Sequence, residues 1–264
     1  FTFNAARFFM GAAVLLVVIS WLDRRRRLTR EKRRQRTRKA IFPGLLAGVI
    51  LAVACGLQQM AMETVTAGEA SFITGFYMVM VPIVGIFRGQ KATWKIAVGV
   101  VFGMSGLYLI AVKGDLSLGF GQILMFTTTF LWTAHILVID HFAPKVSSLR
   151  FSLVQFLTTA VLSTALAFVF DAHPFAGFEY AFTDLLYTGF ISVGIAYTLQ
   201  VMGQRYALPA HASLILATEA LWGAVGGALL LGENMGIRGY AGAALMVAGI
   251  VISQLGSAGK SPPA

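Results

Sequence analysis

The stretch TAGEASFITGFYMVMVP, residues 66–82, has a second version in LPAHASLILATEALWGA, residues 208–224. At an offset of 142 residues, Ala70-Ser71 lies over Ala212-Ser213, Ile73 over Ile215, Gln58 over Gln200 and Met60 over Met202. One residue later in phase, Gly99 pairs with Gly242 and Gly106 with Gly249. Further back, Phe3 and Phe8 match Phe151 and Phe156. Each copy carries an ionisable residue, Glu69 or His211, just ahead of an apolar run. The chain is therefore an internal duplication, and the fold has to be one that two copies can build.

Composition narrows the fold further. Of 264 residues, 57% are hydrophobic and only 12% are charged, about half the charged share of an ordinary soluble domain. Mean hydropathy is +0.76. Such a chain cannot supply a polar skin, which puts it in the membrane class. A hydrocarbon core about 30 Å thick takes roughly 20 apolar residues per helix. Nine stretches satisfy this, at about 3–22, 41–62, 70–87, 93–112, 119–139, 149–170, 183–201, 210–231 and 239–255. The short alternating segments of a transmembrane barrel are absent from the sequence.

The net charge of +10 does not point to nucleic acid, and no nucleic-acid partner is expected. Eleven of the 21 basic residues sit between Arg24 and Lys39, in RRRRLTREKRRQRTRK, which reads as a cytoplasmic loop able to meet anionic lipid headgroups. Alternating sides from that loop puts 18 Lys and Arg on its side and leaves Arg7, Lys113 and Arg238 on the other. Residue 1 is then outside and the C-terminus cytoplasmic. The single cysteine, Cys55, has neither a disulfide partner nor metal-ligand spacing.

The second copy has five spans, from GFGQILMFTTTFLWTAHILVIDHF onward, and the first has four. The expected architecture is all-α and polytopic, with inverted five-helix repeats. The first repeat covers residues 1–114 with four of its five helices and the second covers 115–264. Nine spans are present, and the first helix of a ten-helix fold is expected ahead of Phe1. An odd number of spans per copy turns the second copy upside down, the arrangement of many secondary transporters, which bind substrate near mid-membrane between repeats.

The segments GLQQMAMETVTAGEASFITGFYMVMVPIVG, ASLILATEALWGAVGGALLLGE and GYAGAALMVAGIVI resemble the third and fourth, the ninth and the final helices of EamA-type members of the drug/metabolite transporter superfamily. LWTAHILVID, around Trp132, is similar to that family's cavity-facing first-helix motif. The resemblance covers essentially the whole chain. It implies a ten-helix carrier of the inner membrane that moves small organic solutes, amino acids or related metabolites, outward, with a proton gradient as the suggested driver. It implies no cofactor. The expected partners are a small-molecule substrate and membrane lipid, with the chain a monomer or a homodimer.

Ionisable side chains at bilayer depth cost about 2.5–3.5 kcal/mol on insertion scales, so they face a cavity or a partner. Glu219, near the middle of its span, is the leading candidate for a substrate-amine contact or a proton carrier, and its alternative is a structural carboxylate bonded to a neighbouring helix. His135 is the second candidate proton carrier, with Trp132 one turn and Thr128 two turns earlier on roughly the same face. Gln58, Gln59 and Gln200 carry neutral amides that either bind substrate or join helices. Thr74, Tyr77, Tyr197, Thr218 and Trp222 complete a candidate cavity lining; for each singly, ordinary packing is an equal reading. Glu69 is placed to complement a helix N-terminus, and Glu233 reads as an end or gate residue. Gly44/Gly48, Gly99/Gly103 and Gly223/Gly227 have the spacing that lets helices approach closely.

Enzyme readings are weaker. The sequence has no phosphate loop, no metal-ligand cluster and no paired intramembrane aspartates, and Asp171 with His173 lacks a third partner. A membrane-embedded enzyme would have to work through Glu219 and His135. A nucleotide-sugar-type exchanger is the other alternative.

Overall fold

A computed structural model describes residues 1–89, 93–112, 119–174, 180–230 and 236–255. The described residues fold into helices: α1 (Thr2–Arg25), α2 (Arg30–Ala61), α3 (Ala67–Thr74), α4 (Tyr77–Phe87), α5 (Trp94–Ala111), α6 (Phe120–Phe142) and α7 (Ser148–Phe170). The chain continues through α8 (Phe182–Leu186), a π-helix (Tyr187–Tyr197), α9 (Thr198–Gln204), α10 (Pro209–Leu216), α11 (Glu219–Leu230) and α12 (Gly236–Gln254). Taken with their continuations, these make nine segments long and apolar enough to cross a bilayer among the described residues. Val17, Phe87, Val101 and Phe168 point outward from them, as helices bathed in lipid require.

The helices form two compact units. Phe1–Gly56 and Val138–Tyr206 make the first; Leu57–Leu137 and the described residues from Ala207 onward make the second. Each unit thus draws helices from both halves of the chain.

In the first unit α1 packs along α7, its repeat partner. Phe8 meets Phe156 with ring centroids 5.9 Å apart, and Asp23 meets Arg150 through two short bonds, 2.8 and 2.7 Å, from Nη2 to the carboxylate oxygens. Residue 23 contacts 150 while 8 contacts 156, so the two helices run antiparallel. Both ends of the pair are fastened by an aspartate. At the offset of 148 that matches Phe8 to Phe156, Asp23 falls on Asp171 and Arg150 falls on Thr2. Asp171 accepts the Thr2 N–H at 2.8 Å. Asp23 draws in more partners: Arg33 approaches its carboxylate at 3.7 Å and donates to its backbone oxygen at 3.3 Å, while Arg150 Nε donates to Thr37.

The basic stretch 24–39 is not a loop over most of its length. Helix α1 runs on to Arg25, the chain turns with Arg27 at φ +47°, and α2 starts at Arg30 and continues for 32 residues. At 1.5 Å per residue this helix is about 48 Å long, well beyond a hydrocarbon core, and the excess is where the charges lie. Gly44 and Gly48 lie against α7, with Val154 and Thr158 as their nearest neighbours.

The second unit is built on α5 against α12, again repeat partners. A Cβ on Gly99 would sit 2.8 Å from the Gly249 carbonyl oxygen, and one on Gly249 would sit 2.8 Å from that of Gly99. Gly106 and Gly242 are reciprocal in the same way, at 2.5 and 2.6 Å. The crossed pairing, 99 with 249 and 106 with 242, makes these helices antiparallel too. Lipid gives no hydrophobic drive for helix association, so such close backbone approach is where the attraction comes from. Gly223 does not behave as its spacing predicts. A Cβ there would meet nothing within 4 Å, and the same holds for Gly226.

A paired helix break at the candidate functional site

Two spans that read as continuous in the sequence are each divided. The span 70–87 ends its first half-helix at Thr74 and restarts at Tyr77; the span 210–231 ends at Leu216 and restarts at Glu219. The breaks, 75–76 and 217–218, are exactly one repeat apart in the chain. Their backbone bonding is the same. Gly75 N–H donates to Ser71 O and Phe76 N–H to Ile73 O, as Ala217 N–H donates to Ser213 O and Thr218 N–H to Ile215 O. In both, the ladder tightens from an i−4 to an i−3 bond, as a 3₁₀ turn does. Gly75 (φ −57°, ψ −15°) and Ala217 (φ −62°, ψ −14°) stay in the right-handed region, so the turn needs neither proline nor a strained torsion.

The second half-helices open with Tyr77 and Glu219, which are in repeat register. Tyr77 is buried in the unit's main apolar cluster with Met78, Leu107, Leu137, Leu214, Ala217 and Leu221. Both broken spans therefore reach one core. Glu219 itself is exposed and makes no hydrogen bond or ion pair among the described residues. Trp222, one turn on, is 67% exposed. With Gly223 and Gly226 facing open space, residues 219, 222, 223 and 226 form an unfilled stripe at helical spacing on α11. A carboxylate inside a span cannot be left to lipid without cost, so such a stripe needs water or a bound polar group against it.

Helix α6 borders the first break. Thr129 donates to Ile73 O at 3.1 Å, the carbonyl that also takes the Phe76 N–H. Thr128 donates to Met125 O, and Thr74 lies 3.4 Å from the Met125 sulfur, so both hydroxyls are engaged within the packing. His135 is fully buried, its ring edge-on to Trp132 at 5.8 Å. Trp132 is half-buried beside the main cluster. Thr218 donates to Ile215 O at 2.6 Å.

The structure thus gathers Thr74, Tyr77, Thr128, Trp132, His135, Thr218, Glu219 and Trp222 into the second unit. Gln58, half-buried, and Gln59, exposed, belong to it as well. Tyr197 and Gln200 lie in the first unit, both half-buried, so the repeat-related pair Gln58 and Gln200 is divided between units. Glu69 forms a capping box with Thr66 at the start of α3: Thr66 Oγ1 accepts the Glu69 N–H, and the carboxylate accepts the Thr66 N–H at 3.0 Å. Glu233 lies outside the described residues. Thr129 was not singled out from the sequence; its place in a run of three threonines hides which one reaches a neighbouring helix. No group of three or more His, Cys, Asp or Glu residues suited to a metal occurs among the described residues.

Comparison with known proteins agrees with this architecture. The EamA-like transporter family matches residues 1–112 and again 119–255, and the chain belongs to that family. It is 25% identical over 256 residues to an uncharacterized transporter of Archaeoglobus fulgidus, covering 97% of this chain and 77% of that one. It is 23% identical to the uncharacterized transporter YoaV of Bacillus subtilis, covering 95% and 86%. A crystal structure of a protein 17% identical in sequence superposes with a TM-score of 0.76 over 96% of this chain and 86% of the other, a likeness that carries the fold alone. The protein is accordingly an integral membrane transporter of the EamA type.

Proposed function

We propose that the protein is a secondary carrier that exports small organic solutes, amino acids or related metabolites, by alternating access. The observation that carries this is the pair of helix breaks at 75–76 and 217–218, one in each copy of the repeat. Discontinuous helices at repeat-related positions are how many secondary transporters expose backbone and polar groups to substrate at mid-membrane. Glu219 heads one half-helix with no hydrogen bond or ion pair among the described residues and is the candidate contact for a substrate amine or a coupling proton. Trp222, Trp132 and Tyr77 supply aromatic surface around the breaks, and His135 is the second candidate for proton coupling. The excess of Lys and Arg on one side orients the C-terminus toward the cytoplasm of a bacterial cell. This reading makes the chain a carrier and not an enzyme.

The test is counterflow in proteoliposomes with a panel of labelled amino acids and nucleosides, with and without a pH gradient, for wild type and Glu219→Gln. Saturable exchange of one solute class, lost or uncoupled from the gradient in the variant, is the expected result. Exchange unchanged by the variant removes Glu219 from the mechanism. A well-folded protein that moves no solute from this and a broader panel refutes the carrier.

A further inference from the structure

Two arginines of the first unit, Arg150 and Arg7, are treated very differently. Arg150 is buried and has the Asp23 carboxylate. Arg7 lies within the span of α1, is half-buried, and has no acidic partner among the described residues. Its Nε is buried without a hydrogen-bond partner among the described residues. What surrounds it is soft: the guanidinium stands 5.1 Å from the Phe8 ring centroid and 5.9 Å from that of Phe3, and it reaches the Cys55 thiol, as Tyr197 does. One turn back on the same face, Asn4 donates to Cys55 O at 3.4 Å, and its side-chain oxygen is buried with no partner among the described residues.

Cation–π contacts and a thiol offset only part of the cost of taking a guanidinium out of water. An arginine kept in a span normally has an anion beside it. We propose that Arg7 is an anion-binding point within the first unit and that it takes the free carboxylate of the transported solute. The guanidinium offers a planar fork of N–H donors that fits a carboxylate through two parallel bonds. It carries one charge, and the neighbours named above add none, so it balances a monoanion and not a phosphate dianion. Tyr197 and Asn4 flank that position with polar groups. The inference rests on the carrier reading and deepens it by naming the class of solute.

The test uses the full chain in proteoliposomes and pairs each amino acid with its amide, alongside nucleosides and simple organic amines as solutes without a carboxylate. The expected result is that wild type moves carboxylate-bearing solutes and that amidation lowers their apparent affinity roughly tenfold or more, as loss of one charge-assisted bidentate contact does. Arg7→Gln should erase that difference, and Arg7→Lys should keep part of it. The comparison in wild type needs no variant, so misfolding of either substitution leaves it intact. Equal handling of acids and amides by wild type, or a preference for acids that survives in Arg7→Gln, overturns the proposal while the carrier stands. Absence of flux for every solute refutes the carrier reading, and this inference falls with it.

Discussion

Helices α1 and α7 meet through side chains, Phe8 against Phe156 and Asp23 against Arg150. Helices α5 and α12 meet through bare backbone at Gly99, Gly106, Gly242 and Gly249. Both pairs join repeat partners, both are antiparallel, and both close on themselves about a local two-fold. The difference is in what can yield. Rings and a charge pair can shift rotamer or find a substitute partner, but a carbonyl oxygen 2.5 Å from where a Cβ would stand cannot move without moving its helix. The first contact is specific because it is chemically varied; the second is specific because it has no room.

This contrast can be broken or sharpened by experiment. The largest effect is expected at the charge pair. Arg150→Ala leaves the Asp23 carboxylate buried with only Arg33 at 3.7 Å, and removing one partner of a buried pair costs about 3–5 kcal/mol. Thermal unfolding in detergent reads this, and removing both charges, as in Asp23→Asn with Arg150→Met, should recover most of it. An Arg150→Ala protein as stable as wild type would make the pair ornamental.

Next comes the glycine contact. Gly106→Ala brings a methyl group against Gly242 O and Met246 Cγ, an overpacking that costs about 1–3 kcal/mol. Gly242→Ala should cost about the same, because the contact is reciprocal. Unequal losses would show that the two-fold does not extend to energetics.

A smaller effect is expected at Asp171. Burial alone would raise the pKa of its carboxyl, but hydrogen bonding, first of all from the Thr2 N–H, holds it below the ordinary carboxylate value. Its contribution is therefore present above about pH 4 and lost as pH falls through the lower folded value. Asp171→Asn should cost under about 1 kcal/mol at neutral pH, and the gap to wild type should close on acidification. The smallest effect is expected at Gly223→Ala and Gly226→Ala. Their surroundings are open, so stability should stay level or rise by up to about 1 kcal/mol from helix propensity. A large loss in detergent would mean that the stripe on α11 is filled.

Much of the architecture was legible beforehand because the bilayer dictates it. Twenty apolar residues per crossing leave little freedom, and the nine segments coincide with the sequence spans to within a few residues, apart from α2. That helix begins eleven residues earlier than its apolar run because charge does not prevent a helix; it only prevents burial. The breaks were not legible. Gly75-Phe76 and Ala217-Thr218 are unremarkable in a transmembrane span, and their torsions are helical, so only the bonding pattern reveals them. The pairing of Asp23 with Arg150 was hidden for a different reason. Asp23 stands beside a run of eleven cations, and nothing local tells it to make its shortest bonds to an arginine 127 residues away. Of the candidate site, the sequence singled out Glu219 and Trp132, whose character is chemical. It missed Thr129, whose role depends on which way one hydroxyl in a row of three points.

The reciprocal glycine contact has a consequence for self-association. An isologous surface, in which residue i meets j and j meets i, is the kind that joins two identical subunits and then leaves nothing over. Here both halves of that surface belong to one polypeptide. It is closed within the chain, and a second copy of the protein would have to dock by some other face.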